Sequence, residues 1–310
     1  MTTSTAGSPL ELNEEAVRGH LRFEDVIPLM ERALVDFSSG RVQQPLRTVI
    51  AVDAHQGYLY VMPAATPEAM GAKLVTLYPA NTDTATHHAR IVLFRVATGE
   101  PTASMDGTAI TEIRTAAVSA VATDRLARAE ASVLAILGAG VQAASHLEAL
   151  RHVRAFGDIR VWSPTRAAAF AERHRVRAAG SAEDAVRGAD VVVTVTTSRE
   201  PVLRGEWLAP GTHVNAIGAP RPDWRELDDD LVRRATIFAD SRIAAETESG
   251  DVRAAIASGN RIEAEIGEVV AGGHPGRHDR DEITLFKSLG MAVEDIVTAE
   301  HVRRRALGEA

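Results

Sequence analysis

Of the 34 basic side chains in this 310-residue chain, only Lys73 and Lys287 are lysine. A bias that strong writes arginine wherever either cation serves, so the two remaining lysines are candidates for places that need a compact, titratable ammonium. There is no cysteine, which excludes disulfides, thiolate metal ligands and cysteine nucleophiles. His213, His274 and His278 do not fall at metal-ligand spacing, and no metal site is expected. His87 and His88 open the strand-like run after Lys73. Either could serve as an acid or a pocket wall, although histidines at a strand start are more often structural.

A second chemical signature is the stretch 131–144, ASVLAILGAGVQAA. Val133, Leu134, Ile136 and Leu137 make a short apolar strand, and Gly138-Ala139-Gly140-Val141-Gln142-Ala143 supplies G-x-G-x-x-A directly behind it. In a dinucleotide-binding reading, Gly138 makes the tight turn and Gly140 lets the backbone approach a pyrophosphate. Ala143 keeps the next helix close to the sheet, and that helix's N-terminus holds the phosphates.

The elements around the glycine turn supply the context it needs. Residues 10–39 read as helical, followed by strand-like runs at 46–51, 57–62, 72–77 and 89–96 and a hairpin-like turn at 98–101. A helix at 111–129 leads into the glycine turn. Beyond it come a helix at 141–154, a strand at 159–162, helices at 166–174 and 182–187, and strands at 190–196, 212–217 and 237–239. That alternation predicts an α/β fold, a doubly wound parallel sheet covered on both faces, joined to a mixed α+β unit. Residues 284–306 read as a C-terminal helix. Ligands in such sheets lie beyond the C-terminal strand ends, which draws attention to 138–142, 163–166, 196–198 and 217–219. After the second strand, Ser163-Pro164-Thr165-Arg166 lacks the carboxylate that would bind ribose hydroxyls, and hydroxyls with an arginine favour NADP(H) over NAD(H).

The net charge of −8 points away from nucleic-acid binding, which needs clustered, uncompensated positive charge. No apolar run is long enough to span a bilayer, and the first ten residues carry no signal-peptide pattern, so a cytoplasmic protein with no membrane partner is expected.

Several stretches together resemble the ornithine cyclodeaminase and mu-crystallin family. They are Pro45-Leu46-Arg47, Val61-Met62-Pro63-Ala64, GAKLVTLYP at 71–79, TGEPTASMDGTAITEIRTAAVSAVAT at 98–123, LGAGVQA at 137–143, GTHVNAIGAPRPDWRELD at 211–228 and TLFKSLGMAVEDIVTA at 284–299. The resemblance implies a homodimer. Residues 1–118, joined by the C-terminal helix 291–310, would form a substrate and dimerisation domain, and 119–290 a Rossmann dinucleotide-binding domain. It implies that Arg47, Lys73 and Arg114 surround the carboxylate and reacting nitrogen of an imino or amino acid, with Met62 and His88 also in the substrate pocket. An arginine fork suits the carboxylate, and a lysine can donate a proton to the nitrogen as hydride reaches the carbon. The implied cofactor contacts are Thr115, Gly138 to Gln142, Ser163, Thr165, Arg166, Val195, Thr196, Thr197, Ile217, Gly218, Ser288, Leu289 and Gly290. Arg114 and Thr115 could equally serve the pyrophosphate.

One departure bears on the activity. Cyclodeaminases of the family carry an acid after the fifth-strand glycine, where this chain reads Gly218-Ala219-Pro220-Arg221-Pro222-Asp223. Proline neither accepts a proton nor pairs an ammonium. The expected activity is therefore NAD(P)H-dependent reduction of an imine or ketimine, reversibly an amino acid dehydrogenase. The alternatives are a cyclodeaminase-type lyase with retained NAD+ and a non-catalytic protein binding a nucleotide and a small ligand.

Overall fold

The computed structural model describes residues 8–309. The chain opens with strand β1 (Leu10–Leu12), helix α1 (Glu14–Gly19) and helix α2 (Phe23–Ser38). The single helical run expected over 10–39 is therefore corrected at both ends of α1. Leu10–Leu12 pairs in parallel with a strand at Pro101–Asp106, and Asn13 caps α1 by accepting the Ala16 N–H. Four strands follow, β2 (Thr48–Val52), β3 (Gly57–Ala65), β4 (Met70–Leu77) and β5 (His87–Phe94). A turn at Gly99 (φ +76°) returns the chain into β6 (Pro101–Asp106), a strand the sequence reading did not assign. The order is β1-β6-β5-β4-β3-β2, antiparallel except for the β1–β6 pair.

Helix α3 (Thr108–Leu126) leads to β7 (Val133–Leu137), α4 (Val141–Arg151), β8 (Asp158–Trp162), α5 (Ala167–His174), β9 (Arg177–Ala178), α6 (Ala182–Val186), β10 (Val191–Thr194) and β11 (His213–Ala216). The rest comprises α7 (Asp229–Arg234), β12 (Thr236–Ala239), α8 (Arg242–Glu248), α9 (Gly250–Ala257), β13 (Ile262–Glu265), α10 (Ile266–Val270), β14 (Thr284–Lys287) and α11 (Ala292–Leu307). The second sheet runs β13-β12-β14-β11-β10-β7-β8-β9, every pair parallel. Its central strands are buried on both faces, which is why β10 reads as a continuous Val-rich run.

The expected helix over 284–306 is corrected too. Thr284–Lys287 is a strand between β11 and β12, all four residues buried. The chain turns at Gly290 (φ +77°) before α11 begins. A short run such as this, with only Leu285 and Phe286 apolar, fits a buried strand as well as a helix, and only its sheet neighbours decide.

The chain forms two compact units. One comprises residues 8–29, 40–114 and 291–309, and the other residues 30–39 and 115–290. In the first, α11 covers one face of the sheet against β3, β4 and β5. Approach is close at Gly71, where a Cβ would lie 2.3 Å from the Val92 carbonyl and 3.1 Å from Ile296 Cδ1. In the second, the chain moves from β7 outward to β8 and β9, then returns to place β10 on the other side of β7. That reversal makes a crevice beyond the C-terminal ends of β7 and β10, where doubly wound sheets bind their ligands. Among the described residues no helix is long and apolar enough to cross a membrane.

Candidate active site

In the first unit, strand alternation decides which side chains can meet. Lys73 on β4 stands opposite Met62 on β3 and Ile91 on β5, so these three share the sheet face covered by α11. His88 pairs with Thr76, one register step of odd parity from Lys73, and so points to the opposite face, where it is exposed. The expectation that His88 lines the pocket with Lys73 is corrected by this register. Met62 remains, 5% exposed.

Lys73 is 2% exposed, and its Nζ lies 2.5 Å from Asp295 Oδ2 on α11. Arg114 on α3 is 4% exposed. Its Nε donates to Asp295 Oδ1 at 2.9 Å and its Nη1 to Glu294 Oε2 at 2.7 Å. Asp295 therefore bridges the two cations, one oxygen to each. Glu294 also accepts the Met291 N–H at 3.1 Å, closing the first turn of α11. Burial pulls the Lys73 ammonium down to about 8; Asp295 opposes this, and the positive charges of Arg114 and Arg47 reinforce it. Lys73, Arg114 and Arg47 thus bring three positive charges near the Glu294 and Asp295 carboxylates.

Glu294 and Asp295 were not singled out from the sequence, although the signal was there. Asp295 lies four residues from both Met291 and Ala299, in the stripe that α11 buries. An acid in that stripe needs a cation to meet it.

In the second unit, the glycine turn forms as the residue types require. Gly138 has φ +122°, and a Cβ there would come within 2.5 Å of the Val195 carbonyl, so the turns after β7 and β10 touch. Gly140 is the N-cap of α4 with no side-chain cap, and a Cβ there would meet nothing within 4 Å. Open space before uncapped helix N–H groups is what a pyrophosphate needs, and the residues present fit a dinucleotide. Val141 stands 64% exposed beside it. Gln142 and Ser163 are half-buried, and Thr165 and Arg166 are exposed where α5 begins. Thr115 is buried.

Two expected groups of cofactor contacts are otherwise engaged. The Thr196 N–H and hydroxyl both donate to Glu226 Oε1, at 2.7 and 2.6 Å. Asp240 Oδ2 accepts from the Ser288 hydroxyl and from the Leu289 and Gly290 N–H groups, at 3.2, 2.7 and 2.7 Å. These donors hold the turns in place, leaving Val195, Thr197 and Ile217 as the more accessible candidates.

The histidines divide in an unexpected way. His213 is buried, with Nδ1 2.9 Å from Thr284 Oγ1, and burial holds it down to about 3. His274, His278 and Glu263 come together with ligand atoms within 4.8 Å of one another. Nδ1 of His274 accepts the Gly276 N–H at 3.1 Å, so the ring hydrogen belongs on Nε2, 3.5 Å from Glu263. That nitrogen faces the Glu263 carboxylate at 3.5 Å, so the fold gathers a His-Glu-His group that the sequence spacing did not suggest.

The parallel sheet with its reversal at β7 and its glycine turn defines a Rossmann-type nucleotide fold in the second unit, and the first unit carries a buried basic cluster braced by carboxylates. The chain belongs to the ornithine cyclodeaminase/mu-crystallin family, whose model matches residues 9–310. It is 49% identical over 307 residues to mouse ketimine reductase mu-crystallin, covering 95% of this chain and 96% of the relative. The structure of Thermococcus litoralis Delta(1)-pyrroline-2-carboxylate reductase with NADH and L-proline superposes with a TM-score of 0.91 at 37% identity, over 96% of this chain and 98% of that one. An archaeal alanine dehydrogenase dimer with bound NAD superposes with a TM-score of 0.91 at 34% identity, over 97% of both chains.

Proposed function

We propose that this protein reduces the C=N bond of an α-imino acid, or oxidises the corresponding amino acid in reverse. A nicotinamide dinucleotide held at the Gly138–Gly140 turn would supply the hydride. Arg47 and Arg114 take the substrate carboxylate, with Arg114 oriented by Glu294 and Asp295. Lys73 delivers the proton to the substrate nitrogen. The observation that carries this reading is Lys73 itself, a buried ammonium held 2.5 Å from Asp295 with its pKa lowered to about 8. A proton donor works best when its pKa lies near the working pH. Pro220, where a cyclodeaminase would need an acid, argues against the lyase reading.

NADP(H) is the favoured cofactor, because no carboxylate lies at 163–166 and two hydroxyls and Arg166 do. The functional form is a homodimer. Ile50, Leu59, Val61 and Leu74 share the sheet face opposite Lys73, with Ile50 49% and Leu74 39% exposed. A second copy of that face would cover them, as the dimeric alanine dehydrogenase relative makes reasonable.

The test is consumption of NADPH by the purified protein with a panel of cyclic and linear α-imino acids. Turnover on at least one, abolished by Lys73→Ala, is expected. No turnover across the panel overturns the reading.

A further inference from the structure

The second surviving lysine is not used by the chemistry above. Lys287, at the end of β14, is fully buried. Its Nζ donates to the Gly218 carbonyl at 2.5 Å and to Asp251 Oδ2 at 3.2 Å. The other oxygen of Asp251, on α9, accepts the backbone N–H groups of Glu226 and Leu227, both at 3.1 Å. The Glu226 carboxylate accepts from the Thr194 hydroxyl at 2.7 Å and from both donors of Thr196. Three buried charged groups thus link the turn after β10 to the turn after β11. Gly218 is wedged among them: a Cβ would come 2.4 Å from the Glu226 carboxyl and 2.5 Å from the Thr196 carbonyl. Its neighbour Ala219 is held at φ +54°, a conformation a non-glycine residue adopts only where its surroundings impose it.

We propose that Lys287, Asp251 and Glu226 are positioning residues for the nicotinamide end of the dinucleotide, fixing the two turns that face it. The proposal rests on the dinucleotide reading above. Replacing a buried ionic cluster with apolar side chains is often neutral or stabilising, so stability alone does not account for it. Placement does, because a bound ring must be held to within about 0.5 Å by groups that are themselves locked. The turns after β10 and β11 flank the crevice on the side away from β8, where the ribose-reading residues lie. The cluster therefore acts on one half of the ligand only. Lysine suits the position because one small ammonium must reach a carbonyl and a carboxylate in a space with no exposure, where a planar guanidinium would need more room.

The experiment compares two ligands by calorimetry. One is the reduced dinucleotide that the wild type binds more tightly; the other is the matching ADP-ribose, 2′-phosphorylated if that dinucleotide is. In Lys287→Met the dinucleotide is expected to weaken at least tenfold, while ADP-ribose stays within twofold. Should Lys287→Met fail to fold, Glu226→Gln, nearly the same shape, carries the same comparison, with thermal melting reported alongside. Equal weakening of both ligands, or of neither, overturns the proposal and leaves the imine-reductase reading standing. A wild type that binds neither ligand overturns both.

Discussion

Asp295→Asn separates the proposed proton donor from its setting. The substitution keeps the side chain's shape and removes the one charge shared by Lys73, at 2.5 Å, and Arg114, at 2.9 Å. Breaking a buried pair costs about 3–5 kcal/mol, and one pH unit corresponds to about 1.4 kcal/mol. With roughly half of a 3 kcal/mol loss falling on each cation, the Lys73 ammonium moves down by about one pH unit from its value near 8. Lys73 must be charged to give up a proton, so wild-type reduction falls as pH rises through about 8. In the variant the same fall comes near pH 7, and the oxidative direction, which needs neutral Lys73, gains activity through the same intervals. Stability follows with a defined sign. An unfolded lysine binds its proton up to about 10.4, so the folded state holds fewer protons above its own lowered pKa and gains stability as pH rises from there. The Lys73 share of the destabilisation is therefore largest below about pH 7 and fades above about pH 8. The assay is kcat/KM against pH for a reduced imino acid, with urea unfolding at pH 6.5 and 9. A variant that loses stability but keeps its alkaline limb near pH 8 refutes the assignment of that limb to Lys73.

Four further outcomes are expected. Ser163→Glu places a carboxylate at the end of β8 and shifts preference from NADP(H) toward NAD(H) by at least about tenfold, about 1.4 kcal/mol, read from the two KM values. Gly138→Ala forces a side chain to φ +122° and against the Val195 carbonyl, costing about 3 kcal/mol or more in unfolding. Gly140→Ala meets nothing within 4 Å, so it melts like the wild type and loses dinucleotide affinity by calorimetry. Ile50→Glu puts a charge into the exposed apolar face, and sedimentation is expected to find monomer; an unchanged dimer places the interface elsewhere.

The residues that a strand-turn-helix pattern fixes locally were legible in the sequence. The run 133–137 reads as a buried strand because every residue in it is apolar, and Gly138 reads as its turn because only glycine is at ease at the φ observed there. Local pattern failed where the deciding partner is distant. Leu285 and Phe286 look helical in line with Ile296, and only pairing with β11 and β12 makes them a strand. Leu10 and Leu12 look like the start of a helix until β6 is found beside them. His88 looked equivalent to His87 as a pocket residue, yet a register step of one residue puts it on the other face. Glu294 and Asp295 went unread because their partners lie some 180 and 220 positions earlier in the chain, at Arg114 and Lys73.

The two lysines mark the opposite case, where composition alone pointed to two side chains that the fold buries. In a chain that otherwise writes arginine, both are enclosed, and each faces an aspartate from a helix, Asp295 on α11 and Asp251 on α9. Their surroundings assign them different work. Burial lowers the Lys73 pKa to about 8 and two neighbouring arginines reinforce it, which suits the proposed proton donor. Lys287 is held by a carbonyl and two acids, Asp251 at 3.2 Å and Glu226 close enough for the ammonium to oppose the upward pull of burial on its carboxyl. An ammonium held in this way serves as a fixed strut.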